Sequence, residues 1–152
     1  MKFSHRVDIG APDEAVFRAL TDFTAFERAA MRRGAEVIRS SPGAAITQGT
    51  SWSLRFSYRG KMRRLVCSLD RLTPQSGFLC RLESTGFDGT LSADIIPLSK
   101  ARSRLTVQLE LKPQSFKARL LLQSARLNRA AYARKFETRV AGFAEEVERR
   151  QT

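Results

Sequence analysis

Histidine and cysteine are scarce in this chain, and acid is scarce beside base. One His and two Cys in 152 residues leave no cluster from which a zinc or iron site is built, because such sites draw on several ligands at set spacings. Cys67 and Cys80 are too few for a disulfide scaffold. If they lie on paired strands a bridge between them is open, and two small core residues are the alternative. No apolar run approaches the roughly 20 residues needed to span a bilayer. No phosphate loop, dinucleotide fingerprint or nucleophile elbow occurs either. The start, "MKFSHRVDIG", alternates polar and apolar residues, which argues against a secretory h-region and begins a strand almost at Met1. The expected location is therefore the cytoplasm, and no cofactor is expected.

Acid is short relative to base: 15 Asp and Glu against 27 Lys and Arg, a formal net charge of +12. Such an excess implies attraction to something anionic, whether phosphate, lipid headgroups, nucleic acid or an acidic partner. It also keeps a small domain in solution and by itself specifies no chemistry. The length suits one domain over residues 1–152, with a core large enough to hold a cavity.

What is present is a change of period. Phe3, His5, Val7 and Ile9 alternate with Lys2, Ser4, Arg6 and Asp8, which predicts a strand over Lys2–Gly10. Pro12, followed by Asp13 and Glu14, suits a helix start. Asp22 can cap a second helix, ended by Gly34, with Phe23, Phe26 and Ala30 as its buried stripe. From Ala35 to Pro113 the pattern is all strand. Thr50–Tyr58 and Lys61–Leu72 pair across the Arg59-Gly60 turn as a hairpin. Leu69 and Leu72 stand three apart, which predicts a bulge near Asp70 and Arg71. Phe78–Ser84, Gly86–Leu98 and Arg102–Lys112 complete an antiparallel set with one wet face. Beyond Pro113 the period becomes 3.6. An uninterrupted helix from Ser115 to Arg149 would be about 52 Å long, so a break is expected within Leu122–Asn128.

The stretch "VDIGAPDEAVFRALTDFTAFERA" (Val7–Ala29), the piece "LDRLTP" (Leu69–Pro74) and the final amphipathic helix resemble the START/Bet v 1-like (SRPBCC) superfamily. Its small bacterial polyketide cyclase/dehydrase and lipid-transport-like members look nearest. The resemblance covers essentially the whole chain and implies an α+β helix-grip fold: two short helices after strand 1, and a curved sheet of six or seven strands around a long C-terminal helix. It also implies an apolar cavity between sheet and helix, where members of the family bind lipids, sterols, quinones or polyketides. A minority do chemistry there. Two features depart from a plain carrier: the chain is far more basic, and its inner face has few ionisable residues.

In that frame Trp52, Phe56 and Tyr58 share the inward face of one strand, and either line a cavity or pack a core. The same alternatives apply to Phe78, Leu91, Ile95 and Val107 on the sheet and to Tyr132, Phe136 and Val140 on the helix. His5 is the one unusual inner-face residue; it is either a polar contact or acid–base group, or a satisfied core histidine. No carboxylates pair in a catalytic pattern, and the direction of Asp70 is open. Arg55, Arg59, Lys61, Arg63 and Arg64 cluster on one hairpin, and Arg119, Arg126, Arg129, Arg134 and Lys135 along the helix. These form a solvated charged face or a docking face for an anionic membrane or RNA. "RGKMRRLV" lacks the aromatics of an RNA-recognition motif. The expected partner is thus a hydrophobic or amphipathic small molecule. An aromatase/cyclase-type enzyme and an RNA- or membrane-binding module are the alternatives.

Overall fold

The computed structural model describes residues 1–151. In chain order it contains β1 (Lys2–Ile9), α1 (Asp13–Leu20), α2 (Phe23–Arg32), β2 (Glu36–Arg39), β3 (Ser51–Tyr58), β4 (Lys61–Thr73), β5 (Gly77–Ser84), β6 (Phe87–Ser99), β7 (Arg102–Pro113), α3 (Phe116–Arg126) and α4 (Arg129–Arg149). The short helices begin where local chemistry places them. Pro12 precedes α1 with an extended φ of −67°. The Asp22 carboxylate accepts from the Ala25 N–H at 3.2 Å, satisfying a donor that the first turn of α2 leaves free. At the β3–β4 turn Arg59 and Gly60 take φ values of 51° and 75°, the two left-handed residues that a tight hairpin with the native twist needs.

All seven strands pair antiparallel in one sheet, in the order β1-β7-β6-β5-β4-β3-β2. The register slips between Leu69 and Arg71 opposite β5, as the three-residue leucine spacing predicts. Asp70 takes up the slip on the exposed side, with an Oδ2 4.0 Å from Arg81 Nη1, so its open direction is outward. The long C-terminal helical pattern breaks at Leu127–Asn128, within the expected segment.

The position of α4 creates the site. Near its start, Arg129 donates to the Lys2 carbonyl at 3.0 Å and its guanidinium lies over the Phe3 ring. Two turns further on, Phe136 meets Phe3 at 6.0 Å between centroids. Near the end, the Glu148 carboxylate accepts from the Gly10 N–H at 2.7 Å. The helix is thus tied to the β1 edge along its length, and its backbone comes closest to that strand. A twisted sheet fastened to a helix at one edge diverges from it towards the other. Between α4 and β3–β7 a space therefore remains that the side chains do not fill.

At the β6 end, α1 closes the layer with Val16 and Leu20 in a core with Ile9, Leu69, Ile95, Leu105 and Val147. Among the described residues no helix is long and apolar enough to cross a membrane. Phe26 departs from the expected stripe: it is 45% exposed, because α4 does not close over that side of α2.

Candidate functional site

The unfilled space is a cavity of about 380 Å³, at the lower end of the usual range for small-molecule sites. Its floor is the concave face of the sheet: Trp52 and Leu54 of β3, Cys67 of β4, Phe78 and Cys80 of β5, Leu91 and Ala93 of β6, and Leu105 and Val107 of β7. Cross-strand registers such as Trp52↔Cys67, Phe78↔Ala93 and Leu91↔Leu109 put alternate residues on this side. Phe23, Phe26 and Ala30 of α2 form one wall, and Phe136, Val140 and Phe143 of α4 the other. Phe26 and Phe143 face each other at 6.4 Å across the gap between the helices. Since Phe26 reaches both cavity and solvent, this aromatic pair marks the side on which the cavity meets water.

Two charged side chains line the cavity, Glu27 and Arg139. Glu27 Oε1 accepts from the Trp52 indole Nε1–H at 2.7 Å and from Arg39 Nε at 2.7 Å, with side chains only 17% and 16% exposed for Glu27 and Arg39. The carboxylate is thus neutralised and held by its oxygen Oε1, as a half-buried charge must be. Arg139 makes no hydrogen bond or ion pair among the described residues. The balance at the wall is one compensated acid and one free guanidinium.

Of the residues predicted for the site, Trp52, Phe78, Leu91, Val107, Phe136 and Val140 come together around this cavity. His5, Phe56, Tyr58, Ile95 and Tyr132 do not. His5 is half-buried on β1, the strand that α4 is fastened over, so no space opens above it. Ile95 is sealed into the core under α1. Phe56, Tyr58 and Tyr132 lie beyond the cavity, towards the hairpin tip. There the Tyr58 and Tyr132 hydroxyls are 3.0 Å apart, and Arg59 donates to Tyr132 at 3.3 Å. That mutual hydrogen bond raises the Tyr58 phenol above its ordinary value and lowers Tyr132, which Arg59 lowers further.

The hairpin's basic residues do not share one face. Arg63 stands opposite Phe56 and its guanidinium lies over the Tyr58 ring, on the concave side. Arg55 and Arg64 pair with each other on the convex side. Sequence reasoning passed over Glu27 and Arg139, yet both leave a signal. Glu27 is four residues after Phe23 and three before Ala30, and Arg139 is three after Phe136 and four before Phe143. Each is one charge inside an apolar helical stripe.

Cys67 and Cys80 are free thiols on the cavity floor, diagonal to one another in the β4–β5 register. Burial pushes Cys67 up to about 11 and Cys80 up to about 12, the latter with help from Cys67 and Asp70. At pH 8 each thiol should react with iodoacetamide at least about a hundredfold more slowly than in urea, because two pKa units remove that much thiolate. The folded state retains these protons after the unfolded chain has begun to lose them, near pH 8.5. Stability should therefore fall as the pH rises from about 9 towards 11. A flat urea midpoint across that range would contradict the burial.

Among the described residues no group of His, Cys, Asp and Glu could hold a metal ion. No protein-family model and no curated protein matches the sequence. Solved structures do match in fold. The Zhui aromatase/cyclase from Streptomyces sp. R1128 is 18% identical, covering 100% of this chain and 96% of that one, with a TM-score of 0.69. A START superfamily protein from Mycobacterium smegmatis is 17% identical over 93% of this chain and 97% of its own, with a TM-score of 0.57. Norcoclaurine synthase from Thalictrum is 11% identical over 100% and 96%, with a TM-score of 0.61. The seven-stranded antiparallel sheet, the two short helices after β1 and the C-terminal helix make up a helix-grip fold, the fold this chain shares with those solved structures.

Proposed function

We propose that this chain binds, and in doing so can carry, a hydrophobic or amphipathic small molecule in the cavity beneath α4. The observation that supports this most is the 380 Å³ space with an almost wholly apolar lining and one free guanidinium, Arg139. Apolar burial would supply the driving force, at about 25 cal/mol per Å² before the costs of association. Arg139 would favour a ligand with an acceptor or anionic head, such as a carboxylate, an enolate or a quinone carbonyl. Glu27, already engaged by Trp52 and Arg39, opposes such a head less than a bare carboxylate would.

The aromatase/cyclase reading draws support from the fold of one structural neighbour. Within this cavity it would rest on Glu27, since His5, Tyr58 and Tyr132 stand outside and burial holds the Cys67 and Cys80 thiols protonated.

Native mass spectrometry of gently purified protein, followed by organic extraction, tests the binding reading. A bound long-chain acid, quinone or lipid is the expected result. Leu91→Trp should then fill the space and abolish retention, while the protein stays folded by circular dichroism. Arg139→Gln should weaken a long-chain fatty acid about tenfold or more, the worth of a charge-assisted hydrogen bond. Retention unchanged by Leu91→Trp would place the ligand elsewhere and defeat the proposal.

A further inference from the structure

The end of the sheet where β3 turns into β4 carries a surface that the cavity does not use. Helix α3 is apolar on two sides. Ala118 and Leu122 are buried beneath it, at 4% and 7% exposure. On the opposite side Phe116, Leu120 and Leu127 are 76%, 50% and 86% exposed. Their spacings of four and seven residues set them in one line along the helix. Leu127 keeps helical φ and ψ as the C-cap, so the line continues to it.

Isolated apolar residues on a surface need no explanation, but an aligned stripe of large ones does. The charge around it is of one sign. From Leu111 to Phe136 the chain carries Lys112, Lys117, Arg119, Arg126, Arg129, Arg134 and Lys135, and no acidic residue. Lys117, Arg119 and Arg126, the basic residues of α3 itself, are exposed. The β3–β4 tip joins the same end of the molecule through the bonds of Tyr58 and Arg59 to Tyr132. It adds Arg59, Lys61 and Met62, the last 64% exposed.

We propose that the α3 stripe and the β3–β4 tip form a docking face for an anionic lipid surface. Aromatic and aliphatic side chains would enter the headgroup–acyl boundary while the surrounding Lys and Arg meet phosphate. The composition selects this occupant. Nucleic acid would use the cations and leave the aliphatic Leu120 and Leu127 without a role. A second copy of this chain would set two wholly basic faces against each other. The face stands on observations independent of the cavity, so it holds or fails apart from the ligand-binding reading.

Flotation with vesicles of phosphatidylcholine, alone or mixed with phosphatidylglycerol, tests it. The full chain should float with the mixed vesicles, stay behind with the neutral ones, and be released by high salt. Phe116→Ser with Leu127→Ser keeps every charge and should weaken binding about tenfold or more. Arg119→Gln with Arg126→Gln should weaken it by a similar factor. In Phe116→Trp, the new indole should shift its emission to the blue only with the anionic vesicles. These side chains are exposed, so circular dichroism should show an unchanged fold. If a variant does fail to fold, the lipid and salt selectivity of the unaltered chain still decides. Equal binding to neutral vesicles, full binding by the serine variant, or tighter binding to single-stranded RNA than to the anionic vesicles would overturn the proposal.

Discussion

Trp52→Ala is expected to cost about 3–5 kcal/mol of stability, the range for removing a large buried aromatic, read as a drop in the urea midpoint. The side chain is 7% exposed, its ring lies 5.1 Å from that of Phe23, and its indole N–H is one of the donors that hold Glu27. The loss should divide into packing and polar parts. Trp52→Phe retains most of the apolar area and removes only the donor, so it should cost about 1–2 kcal/mol. Because Glu27 keeps Arg39 as a partner, the carboxylate is weakened rather than orphaned. Trp52 also lines the cavity, so the alanine variant enlarges a ligand site as well as thinning a core. Added indole should then restore part of the lost stability through binding to the folded state. A midpoint change below about 1 kcal/mol for Trp52→Ala would show that the ring is not the joint between α2 and the sheet.

Gly77→Ala should cost about 3 kcal/mol or more, and should remove ligand binding with it. Gly77 opens β5 with φ +137°, and a Cβ there would sit 1.8 Å from the Ala93 carbonyl oxygen and 2.9 Å from its carbon. Both obstacles are backbone of β6, held by the pairs Gly77↔Asp94 and Phe78↔Ala93, so neither can swing aside as a side chain would. Strained φ alone accounts for about 1–3 kcal/mol, and displacement of β6 adds to it. That displacement moves Phe78 and Ala93, both on the cavity floor. Gly142→Ala supplies the control. On α4 its added Cβ meets nothing within 4 Å, and it should stabilise the helix by about 0.5–1 kcal/mol. Equal stability of Gly77→Ala and the unaltered chain would mean that β5 and β6 do not approach as described.

Most of the architecture was legible because it is written in periods and punctuation. The alternation of Phe3 to Ile9, the turn at Arg59-Gly60 and the leucine spacing around Asp70 each have a local cause, and each appears where that cause puts it. The cavity was legible only in part. Period 2 says that Trp52, Phe56 and Tyr58 share a face, and they do, but it does not say how far along the strand the helix still covers that face. Trp52 falls beneath the helices, while Tyr58 is 39% exposed at the tip. Likewise Ile95 and Leu91 share a parity, yet α1 seals one of them and the other faces the void.

By itself the sequence determined the order of elements, the inward set of β1, β3, β5, β6 and β7, the break before α4 and the basic surplus of the C-terminal third. Those depend on neighbours a few residues apart and on the sum of charges. Only the tertiary structure decided which inward residues meet empty space, that Glu27 is shared by Trp52 and Arg39, that Arg139 is left without a partner, and that Phe116, Leu120 and Leu127 stay uncovered. The reason is geometric. Anchoring α4 to β1 fixes a distance between layers that no local pattern encodes, and the cavity follows from where that helix is tied.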